Sequence, residues 1–266
     1  MLVTIASLIA GGLYCLSAFL IYQALRSTLP GRWHFLLPAV LAILCHAVVL
    51  NSLIYQPEGL NLSFFIAFSL IFWLIAIQII LSSFYRPVES LGIVIFPISA
   101  LAGLSTGIPL DIPLIVTQGS GLQGHILISI VAYSLLTLGA FQASILAFQD
   151  HAIRSHNPGG ITRLLPPLHD METLLFQFLT FGFVFLSASL LSGFLFLEDI
   201  FAQHLVHKTI LSLVAWLILA ILLFGRLKFG WRGKTAIRWT LVSFAFLVLA
   251  FFGSKLVLEI ILRPHT

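Results

Sequence analysis

Apolar runs of about twenty residues recur along this whole chain, the first from Leu2 to Leu25. Each is the length a helix needs to cross a hydrocarbon core about 30 Å thick at about 1.5 Å per residue. Composition agrees. Of the 266 residues 8% are charged and the mean hydropathy is +1.11, where ordinary globular domains carry about 25% charged residues. No soluble domain is left over, so the sequence predicts an all-α integral membrane protein, a single transmembrane domain over residues 1–266.

Breaks at charges, Pro, Gly and Asn place spans near 2–25, 34–55, 63–85, 88–106, 124–149, 173–197, 208–226 and 238–262, a bundle of about eight transmembrane helices. Alternate loops then receive Arg26 and Arg32; Arg86; Arg154 and Arg163; and Arg226, Lys228, Arg232, Lys234 and Arg238, ten of the thirteen basic residues. Topology follows the placement of Lys and Arg, so this side is cytoplasmic. Both termini and the loops around Glu58, Asp111 and Glu198 then face outward, to the periplasm of a Gram-negative cell, and the chain is a multi-pass protein of the inner membrane. The first run has no basic residue ahead of it and exceeds the apolar core of a secretory signal, so it is kept as a helix. The fourth span is short and contains Pro97. A re-entrant segment there would flip everything downstream and put the basic GWRGK turn outside, against the charge rule. No internal repeat is evident, which gives an inverted-repeat transporter little support. The stretch 156–175 reads as a cytoplasmic loop into the sixth helix, with Asp170 or Thr173 as N-cap and with His151, His156 and His169 solvated.

Cys15 and Cys45 lie deep inside apolar runs as small packing residues. With no CxxCH in the sequence, the chain is not itself a c-type cytochrome. A titratable side chain at membrane depth is costly unless it faces protein, water or a ligand, which makes such residues the first functional suspects. His46 sits about halfway through the second span. It is either a neutral imidazole bonded to a neighbouring helix or an axial ligand for a metal or haem iron. His125 is expected to open the fifth span at its outer end, with Ser129 and Tyr133 at i+4 and i+8 on nearly the same face, a stripe pointing into the bundle. Gly124 before it allows close approach of a planar group. His204 and His207, spaced i and i+3 beside Glu198 and Asp199, are either an interfacial hinge or part of a divalent-metal site, which wants about four ligands.

Several stretches carry a family resemblance that covers nearly the whole chain: CHAVVL in the second span; GHILISIVAYSLLTLGAFQASILAFQ in the fifth; LPPLHDMETLLFQFLTFGFVFLSASLLSG through the sixth; KTILSLVAWLILAILLFGRLKFGWRGKTAIRW; and FFGSKLVLE. The GWRGK turn, flanked by two helices, is a strong signature. With these segments the chain resembles the cytochrome c assembly membrane proteins, the CcsA, CcmC and CcmF group. That resemblance implies a haem-handling protein whose haem, of b type, is presented on the outer face by a tryptophan-rich segment flanked by histidine ligands. The stretch FLEDIFAQHLVHK stands in the platform's place but has no tryptophan and no Trp-Asp-Pro sequence, so the scaffold is present without the full platform. His125 matches the outer-face histidine before the platform, and His46 lies where a transmembrane histidine is expected. His207, with His204 behind it, is a substitute ligand or an interfacial residue. The family's second outer-face histidine has its nearest counterpart in His265, at the chain's end.

The leading expectation is therefore a carrier or structural haem-binding protein, not an enzyme, with His125 and His46 as iron ligands. Lys208 and Lys255 are expected to meet the propionates near the outer leaflet, and Tyr133 belongs to the same stripe. His46 lies about 10–15 Å deeper than His125 at about 1.5 Å per residue, so the two mark separate sites or one is structural. Expected partners are membrane lipids and other cytochrome-assembly or membrane proteins, with no nucleic acid. Two rivals differ in class. One is a divalent-metal transporter or accessory with a mouth site at His204, His207, Glu198 and Asp199, although the membrane interior offers it almost no carboxylate. The other is a regulatory membrane partner without a cofactor.

Overall fold

A computed structural model describes residues 2–26, 33–56, 59–86, 88–108, 120–155, 165–196 and 203–253. The helices among them are α1 (Leu2–Arg26), α2 (Trp33–Ile54), α3 (Phe64–Ser83), α4 (Gly92–Ser105), α5 (Ser120–Arg154), α6 (Leu168–Phe196), α7 (Gln203–Phe229) and α8 (Lys234–Val248), the last running into a π-helical turn at Leu249–Gly253. The all-α expectation gains one small feature. Tyr55–Gln56 and Gly59–Leu60 pair as two antiparallel two-residue strands between α2 and α3.

Seven of these helices are long and apolar enough to cross a membrane. The expected fourth span is the exception. Around Glu89–Leu91 the chain makes a 3₁₀ turn that leads into the 14 residues of α4, with Pro97 inside. Glu89–Ser105 therefore rises about 27 Å at about 1.5 Å per α-helical and 2 Å per 3₁₀ residue, slightly less than the hydrocarbon core. It is nonetheless an interior element. Ile95, Phe96 and Ala102 are buried, and the Ser99 hydroxyl lies 3.2 Å from the Phe72 carbonyl oxygen of α3 and 3.0 Å from that of Ile95.

The helices gather into two compact units, residues 1–117 and 118–266. In the first, α1 and α3 each pack against both α2 and α4, closing a ring. In the second, α5 and α7 each pack against both α6 and α8. The pattern of burial is that of a membrane protein. Helix α1 exposes Ile5, Leu8, Ile9, Leu16 and Phe19 while burying Tyr14 and Ser17, so apolar side chains cover the outside and hydroxyls are used between helices. Ser17 donates to the Phe35 carbonyl of α2 at 2.7 Å, and the Trp73 indole of α3 donates to the Ile43 carbonyl at 2.9 Å. Such interhelical bonds are favoured where lipid offers a freed polar group no partner.

Three of the boundaries that differ from the sequence reading bear on the candidate residues. Helix α5 begins at Ser120, so His125 sits in its second turn instead of opening it. Helix α6 begins at Leu168, which places Asp170 in its first turn and lets the Thr173 hydroxyl bond back to the His169 carbonyl at 2.9 Å. Neither residue is the N-cap: Asp170 instead favours the positive end of the helix as a charge. Helix α7 starts at Gln203, which draws the His204–His207 stretch into the helix. His151 and His169 are exposed, as expected of solvated residues, and His156 lies outside the described residues.

The GWRGK turn earns its distinctiveness from close packing. A Cβ at Gly225 would stand 2.4 Å from the Trp231 ring, so only glycine lets the indole lie on α7. Trp231 in turn stacks between Phe229 and Trp239, and Arg226 donates to its carbonyl at 3.3 Å while covering the Phe176 ring of α6. Gly233, at φ +59°, donates its N–H to the Glu172 carboxylate of α6 at 2.6 Å, which fixes the start of α8. Amides on α5 hold the entry to α6 in the same way, Gln149 donating to the Pro166 carbonyl at 2.9 Å and Gln142 to that of Met171 at 3.0 Å.

Candidate functional site

The two histidines singled out by the sequence occupy contrasting environments. His46 is 1% exposed at the centre of the first unit. Its Nδ1 lies 3.3 Å from the Tyr14 hydroxyl of α1 and its Nε2 lies 2.7 Å from the Ser69 hydroxyl of α3. The Tyr14 ring meets the imidazole edge-on, and on the α4 side Gly103 leaves just enough room: a Cβ there would stand 3.5 Å from Nε2. Both ring nitrogens are thus engaged, and one neutral imidazole, a donor on one side and an acceptor on the other, joins three helices beside a fourth.

His125 is half-buried in the second unit and engages one nitrogen. Its Nδ1 lies 2.9 Å from the Ser192 hydroxyl of α6. One turn further along α5, the Ser129 hydroxyl lies 2.6 Å from the His125 carbonyl oxygen and 2.7 Å from the Ser189 hydroxyl. The i, i+4 stripe therefore does point into the bundle, against α6. Nε2 makes no hydrogen bond to any described residue. Beside it, a Cβ at Gly124 would meet no described atom within 4 Å, so packing among the described residues does not itself demand glycine there.

Tyr133, two turns beyond Ser129's carbonyl partner, is 8% exposed and rings itself with aromatics: Phe244 at 6.1 Å, Phe251 at 5.5 Å and Phe252 at 5.6 Å between centroids. Its hydroxyl is buried and has no hydrogen-bond partner among the described residues. A buried phenol is normally paired, and one that is not calls for an explanation.

The remaining candidates are more scattered. His207 is exposed and Lys208 half-buried in the second turn of α7. The helix carries His204, whose side chain lies outside the description, as do Glu198, Asp199, Lys255 and His265. Among the described residues no three His, Cys, Asp or Glu side chains come together as a metal-holding group. Sequence reasoning found His125, Ser129 and Tyr133 through helical spacing. It missed Ser189 and Ser192 on α6 and Tyr14 and Ser69 around His46. Ser189 and Ser192 did carry a signal, an i, i+3 pair of hydroxyls in the otherwise apolar run SASLLSG.

Comparison with known proteins adds to this geometry. The family described as "Cytochrome C assembly protein" matches residues 33–262. The chain is 30% identical over 237 residues to the inner membrane protein YpjD of Escherichia coli K12, covering 87% of this chain and 89% of that one. It is 32% identical over 168 residues to an uncharacterized 28.8 kDa protein of Azospirillum brasilense, 62% of each chain. With the cytochrome c biogenesis protein CcsA of Chlamydomonas reinhardtii it shares 27% identity over 144 residues, 53% of this chain and 40% of that one. No solved structure matches. The matched region takes in α2 to the π-helical turn, and with it His46, His125 with its serine partners and the GWRGK turn; the chain belongs to the cytochrome c assembly protein family.

Proposed function

We propose that this chain is a haem-handling protein of the inner membrane that receives haem through the Nε2 nitrogen of His125, as a carrier or scaffold that makes and breaks no covalent bond. The observation that carries the reading is the asymmetry of that imidazole. Nδ1 is tied to Ser192, while Nε2 has no partner among the described residues. A ligand histidine is held in this way, its second nitrogen bonded to an outer partner that fixes the ring. The family supplies the cargo: the name of the related CcsA protein places it in cytochrome c biogenesis.

The residues present fit haem in three respects. The oriented imidazole of His125 would supply one nitrogen to the iron. The cluster of Tyr133 with Phe244, Phe251 and Phe252 offers aromatic surface and an unpaired buried hydroxyl in the same unit. Lys208, half-buried near the start of α7, is a cation for a propionate, and Lys255 would be a second. The iron would supply an electrophilic centre for the nitrogen lone pair, and everything else required of the protein is binding, orientation and exclusion of water. His207 lies on the exposed side of α7 as a secondary ligand. His46 we read as a structural hub, because taking up iron would break its bond to Ser69 or Tyr14. In the membrane the chain runs as eight crossings within one domain, α4 included, with both termini periplasmic. Reporter fusions at residue 232 and at the C-terminus then give opposite sides.

The test is the absorption spectrum of protein expressed with ample haem. A Soret band is expected, lost or shifted in His125→Ala and partly restored by added imidazole, which would take the place of the missing side chain. A band unchanged by His125→Ala contradicts the assignment.

A further inference from the structure

The serines around His125 form more than a loose polar patch, because the protons of their hydroxyls can be placed one by one. Each hydroxyl has a single proton to give. The Ser129 oxygen lies 2.6 Å from the His125 carbonyl oxygen, an acceptor only, so its proton points there. Ser129 and Ser189 are 2.7 Å apart, and with Ser129's proton committed Ser189 must be the donor. The Ser192 oxygen lies 3.0 Å from the Ser189 carbonyl oxygen and gives its proton to it. Ser192 is then left only with lone pairs toward His125. At 2.9 Å the bond between them exists only if Nδ1 carries the hydrogen.

We propose that Ser129, Ser189 and Ser192 are positioning residues that fix His125 as the Nδ1–H tautomer and so leave the Nε2 lone pair bare for a metal-centred ligand. A neutral imidazole has one N–H, and placing it on one nitrogen makes the other an acceptor. Ligand histidines usually achieve this with a carboxylate or a carbonyl, which can only accept. A serine is ambiguous, since it can donate to the ring as easily as accept from it. Here the Ser189 carbonyl removes the ambiguity by engaging the Ser192 proton, and the Ser129–Ser189 contact holds α6 in the register that allows it. The four bonds run in a closed circuit between α5 and α6, every donor matched to an acceptor, and turning the Ser192 hydroxyl toward Nδ1 would give up its bond to the Ser189 carbonyl. His46 has no comparable arrangement: Tyr14 and Ser69 flank both its nitrogens, and either tautomer satisfies them.

That the bare nitrogen takes haem rests on the function proposed above, whereas the tautomer is a property of the haem-free protein, and the experiment separates the two. Full-length protein labelled with ¹⁵N-histidine is prepared in detergent without haem at mildly alkaline pH, and the His125 resonances are assigned by their loss in His125→Gln. The expected result is a protonated Nδ1 and a lone-pair Nε2 in the wild type, a mixed or inverted tautomer in Ser192→Ala, and the wild-type pattern restored in Ser192→Thr, which keeps the hydroxyl. After haem loading, Ser192→Ala should retain haem about 10-fold more weakly, and Ser192→Thr should not. A proton on Nε2 in the wild type or a tautomer unmoved by Ser192→Ala overturns the proposal, as does haem retention in Ser192→Ala within about twofold of wild type when His125→Ala does lose the haem spectrum. If instead the tautomer behaves as stated but His125→Ala leaves the haem spectrum unchanged, the ligand role fails and the serine circuit stands.

Discussion

The first unit encloses His46 between Tyr14, Ser69 and Gly103 with both nitrogens occupied, whereas the second holds His125 by one nitrogen and leaves the other without a described partner. The same side chain serves two purposes. When every polar atom of an imidazole is satisfied inside the protein, the residue contributes to packing and its removal is felt as lost stability. When one nitrogen is fixed and its neighbour spared, the residue is oriented but incomplete, and its removal is felt in ligand binding. The difference lies in the neighbouring hydroxyls and not in the histidine: a tyrosine and a serine on separate helices close the first site, and two serines one turn apart on a single helix brace the second.

The largest expected effect of breaking this contrast is on stability. His46→Ala leaves the Tyr14 and Ser69 hydroxyls without their partner and opens a cavity beside Gly103, which should cost about 3 kcal/mol. His125→Ala, half-buried and with one interhelical bond to lose, should cost about 0.6 kcal/mol, an ordinary value for such bonds in membranes. Denaturant unfolding in detergent micelles measures both, and equal losses would dissolve the distinction between the units.

Ligand retention gives the next effect. Lys208→Met should loosen haem by several-fold, on the order of 1 kcal/mol for one propionate partner near the membrane surface, while leaving membrane insertion unchanged. Haem content after dialysis against a haem-scavenging protein reads it, and unchanged retention removes Lys208 from the site.

The smallest effect is the most discriminating about Tyr133. Its buried hydroxyl has no described partner, so in the haem-free protein Tyr133→Phe should change stability by less than about 0.5 kcal/mol or improve it slightly. If the hydroxyl meets the ligand, the same variant should hold haem less tightly. A clear destabilisation of the haem-free protein would instead mean that the phenol is bonded within the protein.

Much of this architecture could be read before any coordinates. The apolar block lengths located the helices to within a few residues, because a bilayer imposes both length and composition on each crossing. The spacing of His125 and Ser129 identified a shared face toward α6, because i and i+4 positions stack on any α-helix, whereas Tyr133, at i+8, packs against α8 and the π-helical turn. Boundaries at polar stretches were less legible. Gln203 to His207 read as part of a hinge and residues 120–123 fell outside the fifth span, yet the helices take them in, since a polar residue ends a membrane crossing without ending a helix. The partners of the histidines were not legible at all. Tyr14 is 32 residues from His46, and Ser192 is 67 residues from His125. Which hydroxyl on which helix faces an imidazole depends on how neighbouring helices rotate and slide, and periodicity within one helix carries no record of that.

Spectra of His46→Ala and His125→Ala, recorded side by side on haem-loaded protein and normalised to folded material, test the central contrast most directly. The account predicts that the Soret band survives in His46→Ala with its position unchanged, despite the poorer yield of folded protein, and is lost or shifted in His125→Ala with partial recovery on adding imidazole. An intact band in His125→Ala together with a lost one in His46→Ala would contradict it, making the enclosed histidine the ligand and the serine-braced one a packing residue.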